Sequence, residues 1–195
     1  MAIHSDIVII GSGVAGLSMA IQIASRRRDL NIIILAKTTE SESNTNYAQG
    51  GIASVWDHDA DDYQSHIADT RDAGDDLCDP EVVKIVVEEG PVRVKELIEC
   101  GANFDKNANG LYDLGREGGH SENRILHFKD ITGHEIQRTL MAKAAEFKNI
   151  KVFEHFFAID IITQHHLGHN ISRVTPDIEC YGVYALNLSL IHISE

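Results

Sequence analysis

Basic residues are the scarce charge in this chain. Seventeen Lys and Arg stand against 30 Asp and Glu, a formal net charge of −13. Binding to nucleic acid requires cations that displace phosphate counterions, so a nucleic-acid partner is excluded as the main function. The same deficit argues against an anionic membrane surface. Long hydrophobic runs are also missing, since Ile7–Ile10 and Ile32–Leu35 are far too short to span a bilayer. Met1 to Asp6 carries no basic n-region, and the apolar stretch after it is interrupted by glycines, so no secretory signal is expected. Cysteine is sparse, with Cys78, Cys100 and Cys180 scattered and odd in number. That suits reduced thiols in a cytoplasm rather than a disulfide framework or a zinc site. What the chain does have is 43% hydrophobic content over 195 residues, enough for a globular core, alone or as part of a larger protein.

The opening residues read as strand, turn, helix, strand. Asp6 to Ile10 is a β-branched apolar run, as expected for a parallel strand covered on both faces. Gly11-Ser12-Gly13-Val14-Ala15-Gly16 follows directly. Leu17, Ala20, Ile21 and Ala24 then recur at helical spacing, with Arg26-Arg27-Arg28 at the negative end of the helix dipole. Asn31 to Leu35 gives the second strand, and this order implies a parallel sheet. The middle is mostly helical. Tyr63, Ile67, Thr70 and Ala73 share a helix face that Gly74 can end. Nine aspartates between Asp57 and Asp79 read as a solvated acidic face, because no calcium-loop spacing is present. Asp79-Pro80-Glu81 is a helix start, and the pattern from Val82 to Leu97 predicts two short helices broken at Gly90-Pro91 and ended by Gly101. Asn109-Gly110 predicts a hairpin turn between Asn103-Phe104 and Leu111-Tyr112. A helix is expected after Thr132-Gly133, with Ile136, Leu140, Ala144 and Phe147 inward. Strands are expected at Lys151–Glu154, Ala158–Thr163 and Cys180–Leu186.

Gly11, Gly13 and Gly16 carry a dinucleotide fingerprint. The first glycine permits the tight turn, the second lets backbone approach a pyrophosphate, and the third allows close helix–strand packing. The helix that follows turns its N–H groups toward the phosphate charge. The usual ribose-binding acid about 20 residues on is absent. Ala36-Lys37 stands there instead, and a cation at that position could read a 2′-phosphate or approach a pyrophosphate. Asn44-Thr45-Asn46-Tyr47-Ala48-Gln49-Gly50-Gly51-Ile52 is either a plain loop or a backbone platform for a flat cofactor such as a flavin.

Together with Arg116-Glu117-Gly118-Gly119-His120-Ser121 and Asp130-Ile131-Thr132-Gly133, these motifs resemble the succinate dehydrogenase and fumarate reductase flavoprotein family, in particular its aspartate-oxidising members. The resemblance runs from about Asp6 to Asn187. It implies an α/β fold, a doubly wound Rossmann-like FAD-binding domain that is incomplete at its C-terminal side. It implies FAD contacts at Gly11, Ser12, Gly13, Val14, Ala15 and Gly16, at Lys37, at Asn44, Thr45, Asn46, Tyr47, Ala48, Gln49, Gly50 and Gly51, and around Phe157 and Ala158. On this resemblance Lys37 serves FAD rather than a 2′-phosphate. The respiratory relatives attach flavin covalently through a histidine at the Asn44 position, so the resemblance implies non-covalent FAD here. Glu117 matches the residue that orients substrate near its amino group, a carboxylate distinguishing L-aspartate from succinate. The implied reaction is oxidation of L-aspartate to iminoaspartate with oxygen or fumarate as acceptor, in NAD biosynthesis, with a functional link to quinolinate synthase. No metal is implied, and the His165-His166-Leu167-Gly168-His169 cluster and the evenly spaced His120, His127 and His134 take the bland reading. The family's carboxylate-binding arginines and most of its capping domain have no counterpart before position 195. Residues 1–187 are therefore expected to be the N-terminal part of the FAD-binding domain, and 188–195 a tail that does not follow the family.

Overall fold

The computed structural model describes residues 2–190, and within them the chain forms two compact units: residues up to 43 with those from 141 onward, and residues 44–140. Of the tail segment 188–195, Leu188–Leu190 form a 3-10 turn and residues 191–195 lie outside the described residues.

The first unit is built on a parallel sheet in the order β1 (Ile7–Ile10), β2 (Ile32–Leu35), β6 (Ile150–Phe153). Ile9 pairs with Ile34 and Ile10 with Leu35, and Ile34 with Val152. Helix α1 (Val14–Arg26) buries Leu17, Ala20 and Ala24, the stripe expected from the sequence. An antiparallel ribbon of β7 (Phe156–Thr163) and β8 (Cys180–Asn187) completes the unit, with a 3-10 turn at Gln164–Leu167 following β7. Each of these later strands starts or ends within two residues of its sequence-based bounds. The expectation that β1 is covered on both faces fails. Ile9 is buried, but Val8 is 40% and Ile10 55% exposed. Val8 and Ile10 share one face of the strand, and that face lines a cavity together with Ile33, Leu35, Phe153 and Phe156 rather than packing against a covering element. Strand β2, in the middle, is buried along its whole length.

The second unit joins a small antiparallel sheet, order β3 (Ile52–Ala53), β5 (Ile125–Leu126), β4 (Leu114–Gly115), to α2 (Tyr63–Ala73), α3 (Pro80–Glu99) and the start of α4 (Thr132–Ala145). Its core gathers Val94, Ala102, Phe104 and Leu126, with Trp56 and Tyr112 edge-to-face at 5.3 Å beside them. Asp62 caps α2 by accepting from the Ser65 amide at 2.8 Å, and Asp79 caps α3 by accepting from Glu81 and Val82. In α4, Ile136, Leu140 and Ala144 are buried as expected, while Phe147 lies beyond its end and is half-buried.

Two expectations are corrected here. Helix α3 runs unbroken through Pro91, with Val83, Val87 and Val94 buried on one side. Gly90 has no Cβ for the proline ring to strike, and the shared apolar face anchors both halves, so the lost hydrogen bond bends the outcome less than the sequence suggests. The hairpin around Asn109-Gly110 is also tighter than expected. Its arms meet through a single bridge, Lys106 with Tyr112, because Asn107 Oδ1 takes the Asn109 and Leu111 amides and Leu114 turns away to pair with Leu126.

Candidate functional site

In the first unit the glycine fingerprint sits at the carboxyl end of β1. Gly11 has φ +107°, a conformation closed to most side chains, and its amide donates to the Leu35 carbonyl at 2.9 Å. A Cβ on Gly16 would collide with the Gly11 carbonyl, so α1 presses on the turn as closely as the fingerprint requires. Gly13 is the N-cap of α1, no side chain caps it, and no acid occupies the first turn. A helix N-terminus of this kind turns its amides and the positive end of its dipole toward a phosphate. Ser12 is buried, while Val14 and Ala15 are exposed along the same turn. Lys37 follows β2, also at the carboxyl edge of the sheet, where ligands bind in such folds. The amides of His155 and Phe156 donate to Thr38 and Ala36, each at 2.9 Å, which lays the start of β7, with Phe157 and Ala158, alongside Lys37. The structure therefore brings together Gly11, Ser12, Gly13, Val14, Ala15, Gly16, Lys37, Phe157 and Ala158 within one unit.

In the second unit Asn44 to Gly51 form a turn-rich loop that leads into β3. Asn44, Tyr47, Ala48, Gln49 and Gly50 are exposed, and Ala48 closes a turn onto the Thr45 carbonyl at 3.2 Å. The loop rests on the start of α4. Gly133 donates to the Ala48 carbonyl at 2.9 Å, and His134 Nδ1 lies 2.9 Å from Asn46 Oδ1. A Cβ on Gly133 would run into the carbonyls of Thr45 and Ala48. Glu117 reaches the other end of the loop. Its Oε1 accepts from the Gly51 amide at 3.4 Å, and the same oxygen lies where a Cβ on Gly50 would make contact. Among the described residues Glu117 makes no ion pair with Arg116 or Arg124.

Arg124 is occupied elsewhere. It is 0% exposed, and its Nε and Nη2 grip Asp61 at 2.8 and 2.7 Å while Nη1 meets Asp69 at 2.6 Å. Burial alone would raise the Asp69 carboxyl, but hydrogen bonds from Ser121 and Arg124 outweigh it and hold the group below the usual carboxylate range. His66, nearby and buried, is held below the usual histidine range, first by burial and then by the Arg124 charge. Asp61 and Asp69 thus depart from the solvated acidic face expected of Asp57–Asp79, while the other seven aspartates are exposed. The signal that could have found them is Arg124 itself, a cation leading straight into the buried pair Ile125-Leu126. Gly133 and His134 were also missed as supports of the loop.

Of the histidines, His127 lies 3.3 Å from Asp105, away from any shared ligand set with His120 and His134. Asp160, His165 and His166 do converge, each offering a ligand atom within 4.8 Å of the others. In this geometry His166 Nδ1 accepts from the Thr163 amide, which leaves its proton on Nε2, directed at Asp160. His169 stands outside that group.

A parallel sheet with a glycine turn feeding a helix N-terminus defines a dinucleotide-binding α/β protein. The FAD binding domain family matches residues 6–192, and the chain belongs to that family. It is 47% identical to the chloroplastic L-aspartate oxidase of Oryza sativa subsp. japonica and 45% identical to the L-aspartate oxidase of Acinetobacter baylyi, in each case over 94% of its own length. It covers 27% and 32% of those two proteins, so it spans about a third or less of their length. Among solved structures, a variant of the Escherichia coli quinol fumarate reductase superposes with a TM-score of 0.81 at 30% identity, over 94% of this chain and 29% of that one. The FAD-binding fold of the succinate dehydrogenase and fumarate reductase flavoproteins is thereby established, and FAD is the cofactor.

Proposed function

We propose that this chain forms the FAD-binding and substrate-orienting part of a flavoenzyme that oxidises L-aspartate to iminoaspartate. The observation that carries the reading is Glu117, an exposed carboxylate without a cationic partner among the described residues, held against Gly50-Gly51 of the cofactor loop. A substrate ammonium docked there would find the opposite charge beside the cofactor, which a dicarboxylate without an amine would not use. FAD supplies the redox chemistry when bound, taking two electrons from the amine-bearing carbon and passing them to oxygen or fumarate. The chain's own residues bind and orient. The α1 N-terminus and Lys37 receive phosphate charge, the loop from Asn44 to Gly51 offers backbone donors, and Glu117 fixes the amino group. Asn44 has no nucleophilic imidazole, so FAD is held non-covalently. Identity to proteins named L-aspartate oxidase supports the substrate, and the product would pass to quinolinate synthase in NAD biosynthesis.

The free cysteines fit a reducing compartment, the cytoplasm of a bacterium or the plastid of the chloroplastic relatives. No helix among the described residues is long and apolar enough to cross a membrane. A second reading, a succinate- or fumarate-specific flavoprotein, is favoured by the superposition on fumarate reductase and opposed by Asn44 and Glu117.

Glu117→Gln in the full-length enzyme separates them. A charge-assisted hydrogen bond is worth about 1.5–3 kcal/mol, so kcat/KM for aspartate should fall by about 10- to 150-fold. Inhibition by succinate and turnover of fumarate should change much less. Equal losses for all ligands, or unchanged aspartate kinetics, would sink the reading.

A further inference from the structure

The loop that carries Glu117 is pinned at its far end as well as at Gly51. Ser121 donates to Asp69 Oδ2 through both its backbone amide, at 2.8 Å, and its hydroxyl, at 2.9 Å. The same oxygen accepts from Arg124 Nη1 at 2.6 Å. Arg124 in turn has each of its five donors engaged: two hydrogen bonds to Asp61, one to Asp69, one to Ser65 Oγ at 3.0 Å and one towards His120 Nδ1 at 3.4 Å. Arg116 Nη1 closes the loop on itself by donating to the Ser121 carbonyl at 3.3 Å. A guanidinium so saturated and buried has one arrangement, and a lysine could not reproduce it.

The geometry points to Asp69 as the positioning residue of this site. Locked in place by Arg124, it holds Ser121 and so sets where the loop from Arg116 to Ser121 presents the Glu117 carboxylate. Three features support this over a merely structural ion cluster. Asp69 spends two of its bonds on the loop, not on the core. The loop has Gly118 and Gly119 at its centre, with Gly119 at φ +85°, and so has little stiffness of its own. Glu117 meets the cofactor loop through one long hydrogen bond at 3.4 Å, too weak to fix the carboxylate unaided. The functional half of the inference rests on the aspartate reading above, and the structural half does not.

Two variants test it. Ser121→Ala removes the hydroxyl's contacts with Asp69 and with Ser65 Oγ and leaves the ion pairs of Arg124 with Asp61 and Asp69 in place, so folding is not at stake. Asp69→Asn weakens all three bonds to that oxygen. Amide hydrogen exchange on the chain itself should rise about 3-fold in Ser121→Ala and at least 10-fold in Asp69→Asn at Gly51 and at Glu117 to Ser121. The amides of α3 should keep their rates in Ser121→Ala. Unchanged exchange at the loop, or a rise spread evenly over α3, overturns the proposal. In full-length enzyme that turns over aspartate, Asp69→Asn should raise KM at least 5-fold with little change in kcat. The loss should not add to that of Glu117→Gln, because both act through one carboxylate. Additive losses overturn it. If Glu117→Gln has no effect while loop exchange still rises in Asp69→Asn, the aspartate reading fails and the positioning of the loop stands.

Discussion

The amide of Gly133 donates to the carbonyl of Ala48 at 2.9 Å, tying the first turn of α4 to the loop that carries the cofactor signature. Helix N-termini leave amides without partners inside the helix, and here the loop supplies the acceptor. The contact is close because residue 133 has no side chain. Gly133→Ala should therefore cost more than an ordinary helix substitution. Alanine favours the helix by about 1 kcal/mol, yet its methyl would displace the carbonyls of Thr45 and Ala48. Net destabilisation of about 2 kcal/mol is expected from overpacking, with at least 10-fold weaker FAD retention. Thermal unfolding and flavin titration check both. A stabilised variant with unchanged FAD affinity would show that the loop does not depend on this contact.

This contact also marks the limit of what the sequence discloses. The turn at Gly11 to Gly16 was legible because strand, glycines and helix are neighbours in the chain, and local stereochemistry dictates their geometry. The caps at Asp62 and Asp79 and the buried stripe of α1 are local in the same sense. Arg124 and Asp61 are 63 residues apart, so even where Arg124 signals a buried partner, only the fold says which of the acids it is. Nine aspartates in one stretch look alike by composition, and only the fold singles out Asp61 and Asp69. The break expected at Gly90-Pro91 failed for a related reason: a local rule was overridden by Val83, Val87 and Val94, which bury one face on both sides of it. The exposed face of β1 lines a cavity whose other walls come from distant parts of the chain, which no pattern in Ile7–Ile10 contains.

Glu135 should make the second unit sensitive to acid. It is buried in the first turn of α4, accepts from Arg138 Nε and Nη2 at 2.8 and 2.7 Å, and takes both the amide and the side-chain nitrogen of Asn103. Chiefly through Arg138, its carboxyl is lowered to about 2. A carboxylate whose folded value is depressed contributes stability that is present above the unfolded value and lost as pH falls through the folded one. The window therefore runs from about pH 4.5 down to about 2. Glu135→Gln should destabilise by about 2 kcal/mol at pH 7, since Arg138 is half-exposed and its share is screened. Urea unfolding should show the variant and the wild type converging toward pH 2–3. A gap that stays constant with pH would mean that charge is not what Glu135 contributes.

His66 should act in a higher window and with the same sign, because its folded value is also depressed. It lies in α2, 6% exposed, and its Nδ1 has no hydrogen-bond partner among the described atoms. The charged form is disfavoured by burial first, then by Arg124 and His120, with Asp61 and Asp69 offsetting only part of this. The folded value thus lies below the ordinary 6.5. Between those two values the unfolded chain binds the proton and the folded chain does not, so stability falls as pH drops below about 6.5. One such group contributes a slope of at most about 1.4 kcal/mol per pH unit. His66→Leu removes both the titration and the orphaned nitrogen while keeping a similar volume. Its stability relative to wild type should therefore rise steadily between pH 7 and pH 5. Denaturant midpoints measured across that range decide the matter. A constant offset would show that Asp61 and Asp69 accept the charged ring.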